Sequence, residues 1–99
     1  MAWDWEAKAA LKRQHRLAGR LGALRAAPPQ SLLLEGGTVF DRRTLALYWA
    51  AALNCPGQEP PCLECSACVQ IAEQVHLDLA VLDGRFETIK IDQVRELRP

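Results

Sequence analysis

Much is missing from this 99-residue chain, and each absence narrows what the chain can be. No apolar run reaches the length that crosses a bilayer, so the 49% apolar content points to a globular core and not to a membrane-spanning helix. Met1-Ala2-Trp3-Asp4 has neither the charged opening nor the apolar stretch of a secretory leader, which argues against an oxidising compartment and for the cytoplasm. Net charge is absent too, since 12 basic side chains balance 12 acidic ones. There is no internal repeat, low-complexity tract or linker, and a chain this short holds one small domain. No Ser-His-Asp or Cys-His arrangement suggests covalent catalysis. Cysteine is missing everywhere except in one segment.

That segment carries the strongest signal. Cys55, Cys62, Cys65 and Cys68 are spaced C-x6-C-x2-C-x2-C, with Pro56, Gly57, Pro60 and Pro61 where a tight loop must bend. A C-x2-C pair lets two thiolates reach one ion from a single turn, and four thiolates leave no open position for water or substrate. The pattern therefore predicts a structural Zn2+ site and not a catalytic one. Two disulfides, a redox-active pair and unliganded thiols are the rival uses. A reducing compartment and the overlapping C-x2-C-x2-C run weigh against them. His76 follows the last cysteine by eight residues, after a complete set of four, and is expected at a helix end and not on the metal.

The neutral total hides an asymmetry. Before Pro28 stand Lys8, Lys12, Arg13, Arg16, Arg20 and Arg25 against Asp4 and Glu6, and the rest is net acidic. Such a face can meet nucleic acid or an acidic partner, although a solvated surface is its commoner use. Trp3, Ala7, Ala10, Leu17, Leu21 and Leu24 recur at helical spacing, with Gln14 interrupting, and predict one helix over residues 4–26 that Pro28-Pro29 ends. Trp5 and Trp49 are expected to pack. Residues 31–35 and 79–83 predict strands, 42–54 and 66–75 helices, and Thr88-Ile89-Lys90-Ile91 an extended segment leading to a helix capped by Asp92. The expected fold class is α/β: a partial parallel sheet of P-loop type with flanking helices and the cysteine module inserted in a βαβ crossover. The expected parts are an N-terminal helix (1–29), a strand and glycine-loop helix (30–54), the zinc module (55–68), and a helix, a strand and the start of another helix (69–99).

Strand, glycine and helix in that order form the setting of a phosphate-binding loop, G-x4-G-K-[ST]. From Gly36, the variable places fall on Gly37, Thr38, Val39 and Phe40. Asp41 then stands where glycine is needed, Arg42 where lysine belongs and Arg43 where the metal-binding hydroxyl should be. Starting from Gly37 recovers a hydroxyl at Thr44, but Arg42 and Arg43 then replace the glycine and the lysine. An aspartate facing a triphosphate adds repulsion. The expectation is a degenerate loop at Gly36, Gly37, Asp41, Arg42 and Arg43 that binds no ATP.

Leu53-Asn54-Cys55, the cysteine run from Pro61, the segment 71–79 and Ile89-Lys90-Ile91-Asp92-Gln93-Val94-Arg95-Glu96-Leu97 together resemble the bacterial clamp-loader subunits of DNA polymerase III. The likeness covers about residues 30–97, and its last stretch is most similar to the delta-prime branch. Two departures are the short C-x6-C gap and Leu77, where proline is common after the histidine. The resemblance implies an AAA+-type domain with a zinc module between the P-loop helix and the next strand. It implies other clamp-loader subunits as partners, with the sliding clamp and primed DNA engaged indirectly and no membrane. It also implies a non-catalytic stator role, because that branch often carries a degenerate loop. The rivals are an ATP-hydrolysing gamma/tau-like subunit and a free-standing zinc-knuckle module that binds nucleic acid or protein. Arg95 matches a family position at a helix start, but an ordinary solvated arginine is the simpler expectation. The family's aspartate-bearing strand for magnesium, its sensor residue, its arginine finger and its lid and collar domains would lie beyond Pro99, so the chain is expected to be an N-terminal fragment with bare strand edges and a tendency to self-associate.

Overall fold

A computed structural model describes residues 3–82 and Lys90. Among them are four helices: α1 (Trp5–Arg13), α2 (His15–Leu24), α3 (Val39–Asn54) and α4 (Ser66–Ala72). Asp4 starts α1 by accepting a hydrogen bond from the Ala7 amide at 2.9 Å, the usual way an N-cap satisfies an orphan donor. Thr38 does the same for α3, accepting from the Asp41 amide at 3.0 Å. The α4 helix closes after Ala72, short of the expected Val75. Gln74 turns left-handed there (φ 60°), its amide donates to the Ile71 carbonyl, and the Val75 amide donates back to Gln70 at 2.9 Å. These two bonds make a Schellman motif built on glutamine in place of the usual glycine.

The long helix expected over residues 4–26 is two helices. Gln14 leaves helical geometry (φ −104°, ψ 32°) at the place where it interrupts the apolar stripe, while Gly19 and Gly22 lie inside α2. The polypeptide stays hydrogen-bonded through this elbow, Gln14 donating to Ala10 and accepting from Ala18.

The central element is α3, against which α1, α2 and α4 all pack. One buried cluster joins Trp3, Ala7, Leu47, Ala51, Cys55, Cys68, Ile71 and Ala72, and a second joins Ala18, Leu21 and Leu45. So many alanines at the contacts let the helices approach closely, and interaxial distance follows side-chain size. Trp49 packs against the second cluster as expected, but Trp5 is 76% exposed and contributes nothing to either.

The expected parallel sheet is not there: the described residues contain no strand. Residues 31–35 and 79–82 are irregular. Leu34 is anchored to the Ala18–Leu21–Leu45 cluster and Leu79 to the other, and no ladder joins the two segments. A hollow of about 450 Å³ lined by Leu32, Leu34, Val81 and Leu82 lies between them and α3. Parallel strands persist when paired at their edges and covered on both faces. Here Leu33 is 83% exposed and Val81 46% exposed, so apolar composition alone was mistaken for strand. The extended segment 88–91 and the helix at Asp92 lie outside the described residues, apart from Lys90.

Candidate metal centre and glycine turn

The C-terminal end of α3 leads directly into the cysteine loop. Cys55 is the C-cap of α3 and Cys65 the N-cap of α4, so two helix ends bring their sulfurs toward each other. All four sulfurs lie within 4.8 Å of one another, and no disulfide joins them. Cys55 and Cys68 are buried, Cys65 half-buried and Cys62 exposed. The Cys55–Cys65 separation of 3.9 Å is close to the edge of a tetrahedron with metal–sulfur bonds of about 2.3 Å, an edge of about 3.8 Å.

Backbone amides surround the sulfurs as they do around thiolates. Cys55 Sγ accepts from Gly57 at 3.4 Å and Cys62 at 3.5 Å, Cys62 Sγ from Glu64 at 3.5 Å and Cys65 at 3.2 Å, and Cys65 Sγ from Cys68 at 3.5 Å. The amides of Glu64 and Cys65 hold the Cys62 thiol down to about 6, whereas burial pushes Cys68 up to about 12. Leu63, between the two cysteines of the first C-x2-C, sits at φ 65°, a conformation bulky residues avoid. Its side chain packs on the cluster that contains Cys55 and Cys68. Four convergent sulfurs of this kind could hold one metal ion. His76 is not among them; its Nδ1 accepts from the Asp78 amide at 3.1 Å in a turn beyond α4.

Two residues that the sequence did not connect with the cysteines support this centre. Trp3, upstream of α1, donates its indole N–H to the Cys68 carbonyl at 2.8 Å inside the core. Arg25, after α2, donates to the carbonyls of Ala52 (2.8 Å) and Cys55 (3.5 Å), placing a cation at the negative end of α3. Neither contact has a local sequence signal, because each partner lies far away along the chain.

At the other end of α3, Gly36 (φ 82°) and Gly37 (φ 61°) make a left-handed turn. Arg42 folds back over it, its guanidinium donating to the Gly36 carbonyl at 2.7 Å and to Gly37 at 3.0 Å. Asp41 is buried and faces the α1–α2 elbow, where Oδ1 accepts from Arg13 at 2.9 Å and Oδ2 from Gln14 at 3.2 Å. The hydrogen bond from Arg13, then that from Gln14, holds the Asp41 carboxyl below its ordinary range. Thr44 is fully buried and its hydroxyl has no partner, while Arg43 lines the hollow beneath residues 79–82. The sequence did contain a sign of Asp41's structural role: Thr38-Val39-Phe40-Asp41 fits the spacing of a helix-start capping box.

The family described as "DNA polymerase III, delta subunit" matches residues 22–99. The chain belongs to this family. Within it, the chain is 39% identical over 88 residues to the DNA polymerase III subunit delta' of Pseudomonas aeruginosa, an alignment that takes in 85% of this chain and 26% of that relative. The chain thus spans about a quarter of the relative's length. No solved structure matches. The family match takes in α3, the cysteine loop and α4, and it starts within α2, so α1 falls outside it.

Proposed function

We propose that this chain is the N-terminal part of a delta-prime-type clamp-loader subunit of DNA polymerase III, which helps place the sliding clamp on primed DNA without nucleotide chemistry of its own. Membership of the family carries the proposal. Its place is the cytoplasm, beside the replication machinery, and no helix among the described residues is long and apolar enough to cross a membrane. Residues 1–29 form its N-terminal helical part, 30–54 the glycine turn and its helix, 55–68 the metal module, and 69–99 the continuation toward the rest of the ATPase-like domain.

Zn2+ is the ion we assign to Cys55, Cys62, Cys65 and Cys68, on the strength of the all-sulfur donor set gathered within 4.8 Å. With four protein sulfurs it is structural, joining the end of α3 to the start of α4.

The ATP-silent part of the proposal rests on where Gly36, Gly37, Asp41, Arg42 and Arg43 stand. A nucleotide would need the amides at the start of α3 and a free cation beside them. Asp41 brings its own negative charge to that helix start, and Arg42 is spent on the loop's carbonyls. A gamma/tau-like ATPase needs a reachable hydroxyl, and Thr44 is sealed in the core. Titration calorimetry with ATP and Mg2+ tests this. No heat of binding is expected, and micromolar affinity would end the stator assignment. Asp41→Gly, Arg42→Lys and Arg43→Thr combined is the variant to try for recovered binding in a longer chain.

The partners on this reading are other clamp-loader subunits. Leu32, Leu33 and Val81 leave an apolar face uncovered, and self-association of the isolated chain is the expected result. Light scattering that finds a monomer at high concentration would contradict it.

A further inference from the structure

The six cations of the first 27 residues are sorted by the fold into two sets. Arg13 and Arg25, although exposed, are engaged by Asp41 and by the carbonyls at the end of α3. Lys8, Lys12, Arg16 and Arg20 stay exposed, four residues apart each time. The ion pair formed among the described residues is Arg13–Asp41, so none of these four is neutralised by a carboxylate there. Four residues of helix advance about 6 Å, which puts Lys8 and Lys12 on neighbouring turns of α1 and Arg16 and Arg20 on neighbouring turns of α2. At the elbow, Arg13, His15, Arg16 and Arg20 line a hollow of about 440 Å³, and no side chain caps the N-terminus of α2 beside it. Only Glu6 adds negative charge to the two helices.

Trp5 completes the face. It lies at i, i+3 and i+7 with Lys8 and Lys12, on the solvent side of α1, and is 76% exposed although a tryptophan gains much by burial. A protein partner could also bury the indole, but cations at every fourth residue beside an exposed ring match the repeat of phosphates and bases along one strand. A single nucleic-acid strand uses both, because its phosphates meet a row of cations while its bases offer a π-face to stack.

We propose that the outer face of α1, the elbow and α2, Trp5, Lys8, Lys12, Arg16 and Arg20, is a docking surface for single-stranded DNA, with the four cations on successive phosphates and Trp5 stacked on a base. It is independent of the ATP-silent loop and would stand if that reading failed. The test is fluorescence anisotropy of the 99-residue chain with fluorescein-labelled oligothymidine over a range of salt. Four phosphate contacts give a slope of log affinity against log salt of about −3. Changing Lys8, Lys12, Arg16 and Arg20 together to Gln should abolish binding, and should that variant misfold, each single change should lower the slope by about 0.7. Trp5→Ala should weaken binding about tenfold at unchanged slope and remove the quenching of indole fluorescence by the strand. No binding at low salt, affinity indifferent to these changes, or polyglutamate competing as well as oligothymidine would overturn the proposal, the last by making the face one for acidic protein.

Discussion

The two ends of α3 solve opposite electrostatic problems with the same pair of N-terminal helices. At the start of the helix, where backbone amides favour negative charge, the chain supplies its own carboxylate, Asp41, and holds it with Arg13 and Gln14. At the other end, where carbonyls favour positive charge, Arg25 covers Ala52 and Cys55, and four sulfurs beyond it converge within 4.8 Å of one another. One end is closed by an internal pair, and the other is arranged for an ion from outside. An anion brought to the start of α3 would meet the charge of Asp41, whereas a cation at the other end would meet sulfurs that need only lose their protons. The difference teaches that the two ends of one helix have to be read by the charges already paired at each.

The largest expected effect breaks the metal end. Structural zinc contributes on the order of 10 kcal/mol in small metal-folded peptides. Even a fraction of that is comparable to the whole stability of a domain this size. Protein purified without chelator should carry one zinc, and a chelator should lower the melting temperature sharply and loosen α4, which has only 7 residues of its own. Cys65→Ser removes a ligand while keeping a side-chain N-cap at the start of α4, and should do the same without chelator. Metal analysis that finds no zinc, with sulfurs paired as disulfides by mass spectrometry, would show that the two ends of α3 do not differ in this way.

A smaller effect should come from Trp3→Phe. The substitution keeps most of the apolar area but leaves the buried Cys68 carbonyl without the indole donor that now lies 2.8 Å away. Loss of such a bond should cost about 1–2 kcal/mol in denaturant unfolding. Because Cys68 is also in the metal set, zinc should pass to a competing chelator faster in the variant. Unchanged zinc transfer alongside lowered stability would mean that Trp3 supports the core but not the centre.

The cysteine centre was legible because its signal is local: spacing alone brings C-x2-C sulfurs together, and the loop's Pro and Gly only have to bend. Helix α3 ended where the sequence placed its end, at Asn54, since the loop prolines follow at once. The elbow was half legible, as Gln14 visibly interrupted the stripe, but its cause lies 27 residues away in Asp41. The strands failed for a different reason. Leu32-Leu33-Leu34 and Leu79-Ala80-Val81-Leu82 have the composition of buried strands, and composition says nothing about whether a neighbour exists to hydrogen-bond and cover them. Trp5 failed likewise: apolar character predicted burial, and the helix turned it outward.

The smallest expected effect concerns the closed end, where half of the pair is wet. Arg13 keeps 57% of its side-chain exposure while Asp41 keeps 7%, so water and salt screen much of the attraction. Its sign is nevertheless clear. The hydrogen bonds from Arg13 and Gln14 lower the folded-state pKa of Asp41 below its unfolded value near 3.9, so their contribution is fully present above that value and is lost as pH falls through the folded one. Asp41→Asn keeps the shape and removes the charge. Wild type should therefore exceed the variant in stability by a constant margin from neutral pH down to about pH 5, and the margin should shrink below about pH 4. Denaturant unfolding of both proteins across that range, repeated in high salt to reduce the margin, measures it. A margin that stays flat through the acid range would mean that Asp41 holds the elbow by shape alone, and that the start of α3 is not closed by charge.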